Sequence, residues 1–81
     1  MSTKSKYDEV FMESLGVTVE QLNPELVYNS IESWDSVGHM GMIAALEEAF
    51  QIAMDTDDII EFGSYTIGID KLRKYGVVIA E

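Results

Sequence analysis

The sequence predicts an all-α domain: a small four-helix bundle of three main helices and one short helix, with a long loop between the first and second helices. Three observations carry this. Apolar residues recur at helical spacing in separate stretches of the chain. Those stretches open on Ser or Asp, residues that cap helices, and several close on Gly. The chain has 81 residues, 47% of them hydrophobic, enough for one modest core and no more. A single domain over 1–81 is expected, with an ordered core from about 5 to 77.

The first helix is expected to start near Ser5, with Asp8 completing a capping box. Tyr7, Val10, Phe11, Ser14 and Leu15 then share a face, leaving Asp8, Glu9 and Glu13 outside. Gly16 is a natural stop. The stretch 17–32 reads as a long connection, because Pro24 prevents a helix interior around Asn23. Leu22, Leu26, Val27 and Ile31 are expected to pin it to the core. A loop of this length is functional or contains a short helical turn.

The second helix opens on Trp34-Asp35-Ser36, with Asp35 as N-cap and Trp34 as a hydrophobic staple before it. Spacing places Val37, Met40, Ile43 and Phe50 on its buried face, widened by Ala44 and Leu46. Met40 then belongs to the core and Met42 to a partly exposed flank. Gly38 and Gly41 lie inside the helix, where each costs about 1 kcal/mol relative to alanine. Either a neighbouring helix approaches closely there, or the two glycines make a flat patch for a partner. Asp55 or Thr56 caps a short helix over 57–62, stopped by Gly63. Ser64 caps the last helix, whose stripe is Tyr65, Ile69, Leu72 and Tyr75 and whose end is Gly76. Lys71, Arg73 and Lys74 in its last turns suit the negative end of the helix dipole.

Charge excludes several functions. The formal net charge is -10, and no Lys or Arg occurs between Tyr7 and Asp70. Nothing on that surface neutralises phosphates, so neither nucleic acid nor an anionic membrane is an expected partner. An acidic surface does steer basic partner proteins toward it. No apolar run approaches the roughly 20 residues of a spanning helix, and no secretion signal opens the chain, so a cytoplasmic location is expected.

Candidate chemistry is sparse. Ser36 at the first turn of a helix is either part of the cap structure or an attachment point for a phosphate-linked arm, since a helix N-terminus favours an anion. His39, one turn on, makes a Ser-His pair, but a triad also needs an orienting group and an oxyanion site. A bundle this small offers little cleft for either, so no catalytic residue is assigned and His39 is read as facing solvent. A single His and no Cys cannot anchor zinc. Asp55-Thr56-Asp57-Asp58 is no EF-hand, because Ile59 and Ile60 occupy the positions that need an oxygen ligand and glycine. No metal site is expected.

Taken together, these residues resemble the acyl carrier protein family. The likeness lies in Asp35-Ser36-Val37 opening a helix, Ala45-Leu46-Glu47-Glu48-Ala49-Phe50 ending it, and the acidic stretch Asp55 to Glu61. Leu15-Gly16-Val17 and the closing helix from Ser64 also fit, so it runs from about Tyr7 to Tyr75. The resemblance implies a 4′-phosphopantetheine arm on Ser36, installed from coenzyme A by a phosphopantetheinyl transferase that reads the adjacent Asp35. It implies a monomeric carrier of acyl or aminoacyl thioesters, not an enzyme, serving acyl-loading and acyl-transfer enzymes with basic docking surfaces. Val37, Met40, Glu47 and Glu48 would form its docking face. Gly38 and Gly41 stand where many fatty-acid carriers have acidic residues, so the stretch is more similar to stand-alone carriers of specialised pathways, with fatty-acid, polyketide or other specialised biosynthesis all left as expected settings. The competing expectation is an acidic helical interaction module without a prosthetic group.

Overall fold

Ser2, not Ser5, caps the first helix. In the computed structural model, which describes residues 2–79, the Ser2 hydroxyl accepts from the Ser5 backbone N–H at 3.1 Å. Helix α1 therefore spans Thr3–Leu15. A 3₁₀ turn, Val19–Gln21, follows within the long connection, then α2 (Ser36–Phe50), α3 (Thr56–Glu61) and α4 (Tyr65–Lys74). The predicted all-α bundle is what forms, and the long loop carries the helical turn its length calls for. Gly16 ends α1 in the left-handed region at φ 68°, where glycine alone is free of Cβ strain.

The core is aromatic, with Phe11 at its centre. Tyr7 lies 4.9 Å away between ring centroids, and Phe62 6.2 Å. Trp34 and Tyr65 meet Phe11 edge-on at 5.6 and 5.3 Å, a geometry the ring quadrupole favours. Met42, Ile43 and Leu46 from α2 and Leu72 from α4 close this cluster. Packing is tight enough to exclude a methyl group at Gly68: a Cβ there would sit 2.2 Å from Phe62 and 2.4 Å from the Tyr7 hydroxyl. That glycine stands inside α4 because α1 and Phe62 approach its backbone directly.

Asp8 is inside, not outside. The Tyr65 hydroxyl donates to its carboxylate, and Lys4 pairs with it at 2.7 Å. The neighbouring Tyr7 hydroxyl donates to the Tyr65 carbonyl at 2.7 Å, so α1 and the start of α4 are joined twice. Burial and the hydrogen bond to Asp8 push the Tyr65 phenol up to about 12. Helical spacing puts Asp8 on the outer face with Glu9 and Glu13; a hydrogen-bonded partner from a distant element reverses that.

The connection between α1 and α2 is pinned largely through its backbone. Leu26 is buried, and Leu22 and Ile31 pack against the core as expected. The Val27 side chain does not; it is exposed, and its residue instead forms an antiparallel bridge with Ser64. The Tyr28 N–H donates to the Gly63 carbonyl and the Tyr65 N–H to the Leu26 carbonyl, both at 2.9 Å. These bonds hold the segment preceding α2 against the α3–α4 junction.

Helix α2 is rotated from the face that spacing predicts. His39, Met42, Ile43 and Leu46 are buried, whereas Val37 is 81% and Met40 54% exposed. Ala44 is exposed and Phe50 half-buried. The assignments of Met40 to the core and Met42 to the flank are thus exchanged. Apolar residues occur almost all round this helix, so periodicity alone leaves its phase open. The phase is set by His39, the one polar residue of its first turns with a buried partner.

Helix α4 follows its predicted stripe, with Tyr65 and Leu72 buried and Ile69 and Tyr75 half-buried. The Ser64 hydroxyl accepts from the Ile67 N–H at 2.9 Å, as a cap should. Helix α3 is capped by Asp55 without a side-chain bond. Lys74 and Tyr75 of the α4 terminus clamp Asp58, the lysine at 2.8 Å. These two bonds, Lys74 first, pull the Asp58 carboxyl down to about 2.

Candidate functional site

The site is built around the N-terminus of α2. Asp35 has extended backbone, and its Oδ1 accepts from the Gly38 N–H at 2.8 Å, so it caps the helix as expected. Ser36 is the first helical residue and is exposed. Its own N–H and that of Val37 belong to the first turn, where no intrahelical acceptor exists. The hydroxyl thus stands in solvent beside amide donors and the positive end of a 15-residue helix.

The segment entering the helix is held rigidly. The Ser33 hydroxyl donates to the Leu15 carbonyl at 2.7 Å, tying it to the end of α1. Asn29 takes a left-handed φ of 67°, and its N–H donates to the Trp34 carbonyl at 2.9 Å. Gly38 faces this segment: a Cβ would lie 1.9 Å from the Ser33 carbonyl oxygen. Gly38 is therefore not part of a flat outer patch. It lets the incoming chain cross the helix start, and alanine would clash rather than stabilise. Gly41 differs, since a Cβ there meets nothing within 4 Å.

His39 does not face solvent. It is 8% exposed; its Nδ1 accepts from the Trp34 indole N–H at 2.9 Å, and its Nε2 donates to the Ile59 carbonyl at 2.8 Å. Acceptor at one nitrogen and donor at the other is the neutral imidazole. With both nitrogens engaged, His39 has no lone pair for the Ser36 proton, and the Ser-His pair is not a catalytic one. Trp34 keeps its staple role: it precedes the cap, lies edge to edge with His39 one turn in at 15° between planes, and is completely buried.

Beside Ser36, between α2 and α3, lies an apolar groove of about 420 Å³ lined by Tyr28, His39, Met40, Ile59, Ile60 and Phe62, with Ser36 on its rim. Spacing along the chain does not predict this groove. Its one signal was the apolar pair Ile59-Ile60, of which Ile60 is 73% exposed.

The expected docking residues separate into two groups. Val37, Met40 and Glu48 are exposed on α2. Glu47 is half-buried, and its carboxylate accepts from the Met54 N–H at 2.8 Å, so it braces the α2–α3 loop. The donor set fits a phosphodiester-linked arm on Ser36: an exposed hydroxyl, free first-turn amides and an apolar groove adjoining.

Among the described residues, no helix is long and apolar enough to cross a membrane. Curated relatives agree with the geometry. An acyl carrier protein of Nitratidesulfovibrio vulgaris strain Miyazaki F is 36% identical over 58 residues, which is 72% of this chain and 76% of that protein. An acyl carrier protein of Desulforapulum autotrophicum is 32% identical over 75 residues, covering 91% of this chain and 97% of the relative. No protein-family model matches the chain, and no solved structure matches it significantly.

Proposed function

Since this chain belongs to the acyl carrier protein family, and so is a carrier rather than an enzyme, we propose that Ser36 bears a 4′-phosphopantetheine arm through a phosphodiester to its hydroxyl. The observation that carries this is the exposed Ser36 hydroxyl at the first residue of α2, on the rim of the apolar groove. When bound, the arm supplies the thiol on which an acyl or aminoacyl group is held as a thioester; the chain has no cysteine of its own.

The residues around Ser36 have distinct parts in this reading. Asp35 fixes the helix start and stands beside the hydroxyl, where a phosphopantetheinyl transferase reads it. The first-turn amides of α2 face the phosphodiester anion. Trp34 and His39 hold the helix start in one orientation, so the arm leaves the body from a fixed point. Val37, Met40 and Glu48 present an apolar patch with an acidic edge to partner enzymes whose docking surfaces are basic and apolar. The chain serves as a monomer, in the cytoplasm, in fatty-acid, polyketide or another specialised biosynthesis.

Intact mass after incubation with coenzyme A and a broad-specificity phosphopantetheinyl transferase tests this. A single phosphopantetheine adduct is expected on the wild type and none on Ser36→Ala. A folded wild type that takes no adduct would sink the reading.

A further inference from the structure

Oxidisable sulfur is distributed unevenly over this chain. Met42 is completely buried and Met54 nearly so, while Met12 is half-buried against the core. Met40 is 54% exposed. It stands one helical turn after Ser36 on the same side of α2, and the two residues line the same surface depression. A partner that engages the Ser36 hydroxyl therefore covers the Met40 thioether as well. Competing groups are out of reach of a dissolved oxidant: the chain has no cysteine, and Trp34 is completely buried. Among the described residues, the Met40 sulfur is the soft nucleophile that such an oxidant meets first. Its surroundings are apolar, with Val37 and Ile60 both largely exposed. His39 has both ring nitrogens engaged and offers no donor to a new oxygen on Met40.

We propose that Met40 is a reversible oxidation site, and that its sulfoxide slows the modification of Ser36 by making the apolar patch beside it polar. The inference rests on the carrier reading of Ser36 and adds a means of regulating that site. The oxidant class is a peroxide. The thioether sulfur attacks one peroxide oxygen, the O–O bond breaks, and the other oxygen leaves with both protons as water. Sulfur gives up two electrons and the peroxide takes them. A methionine sulfoxide reductase reverses the step: the oxygen leaves as water while two thiols of the reductase system become a disulfide, with one reductase type for each sulfoxide epimer. In the free protein the added oxygen is solvated, because Met40 lies at the surface, so the fold loses little. A partner closing an apolar surface over it strips that water away. The desolvation of one polar group corresponds to a loss of about tenfold in loading rate.

The test treats the unloaded protein with limiting hydrogen peroxide, removes the excess with catalase, and locates the added oxygen by peptide mass. Coenzyme A and a broad-specificity phosphopantetheinyl transferase are then added, and intact mass follows the rate of loading. Met40 should gain oxygen before Met12, Met42 and Met54. Loading should slow about tenfold, and treatment with both reductase types and dithiothreitol should restore it. Thermal unfolding of the oxidised protein should stay close to that of the untreated one. Met40→Leu, compared with its own rate before peroxide, should show no slowing. Oxygen entering Met12, Met42 or Met54 first overturns the inference, as does an oxidised Met40 that loads at the untreated rate. A slowing that the reductases do not reverse, that persists in Met40→Leu, or that comes with a collapse of the melting temperature overturns it too. Untreated protein that takes no adduct overturns the carrier reading and this inference with it; normal loading before peroxide with any of the failures above overturns only the inference.

Discussion

The Trp34 indole N–H donates to His39 Nδ1 over 2.9 Å, and the two rings lie edge to edge and nearly coplanar inside the protein. Trp34 belongs to the loop before the functional serine and His39 to the helix after it. One hydrogen bond thus fixes the angle at which the chain turns into α2. Trp34→Phe keeps most of the buried ring and removes the donor, leaving Nδ1 buried without a partner. We expect a loss of about 1–3 kcal/mol in chemical denaturation. His39→Gln in the same background should not add its full single-variant cost, because the two residues share one network.

The two glycines of α2 should respond in opposite directions. Gly38→Ala forces a Cβ against the Ser33 carbonyl and should destabilise the protein by about 1–3 kcal/mol, as overpacking does. Gly41→Ala meets nothing and should stabilise it by up to about 1 kcal/mol through helix propensity. Thermal unfolding of both variants checks this; equal shifts of the same sign would contradict the contacts described above.

Gly68→Ala should be as damaging as Gly38→Ala or more so, for a different reason. Its methyl would enter the space of Phe62 and the Tyr7 hydroxyl, and the latter is held by its bond to the Tyr65 carbonyl. A melting temperature unchanged from wild type would mean that the α1–α4 contact is looser than described.

Stability should fall at acid pH through Asp58. Lys74 and Tyr75 hold its carboxyl at about 2, below its ordinary 3.8. The folded state binds this proton more weakly than the unfolded chain, so the contribution is complete above about pH 4 and is lost as pH falls toward 2. Asp58→Asn should flatten the acid limb of a stability–pH profile in that window. At the alkaline end the sign reverses. Tyr65 is raised from 10.0 to about 12, so its contribution is complete below pH 10 and is lost as pH rises through 12. Tyr65→Phe should remove that part of the alkaline limb.

What the sequence determined by itself is local. Caps, stops and the order of the helices follow from residues within one turn of each other: Asp35 before α2, Gly16 after α1, Ser64 before α4. The Asp-Ser step at a helix start, which carries the site, is local too. Tertiary structure alone decided which way α2 turns, because its apolar residues lie on several faces and the buried Trp34–His39 bond selects one. It decided that Asp8 goes inside, since the compensating hydroxyl is on Tyr65, 57 positions away. The purpose of Gly38 and Gly68 and the existence of the groove beside Ser36 were settled the same way. Each depends on a contact between elements distant in the chain, and no spacing along one element reports what another will place against it.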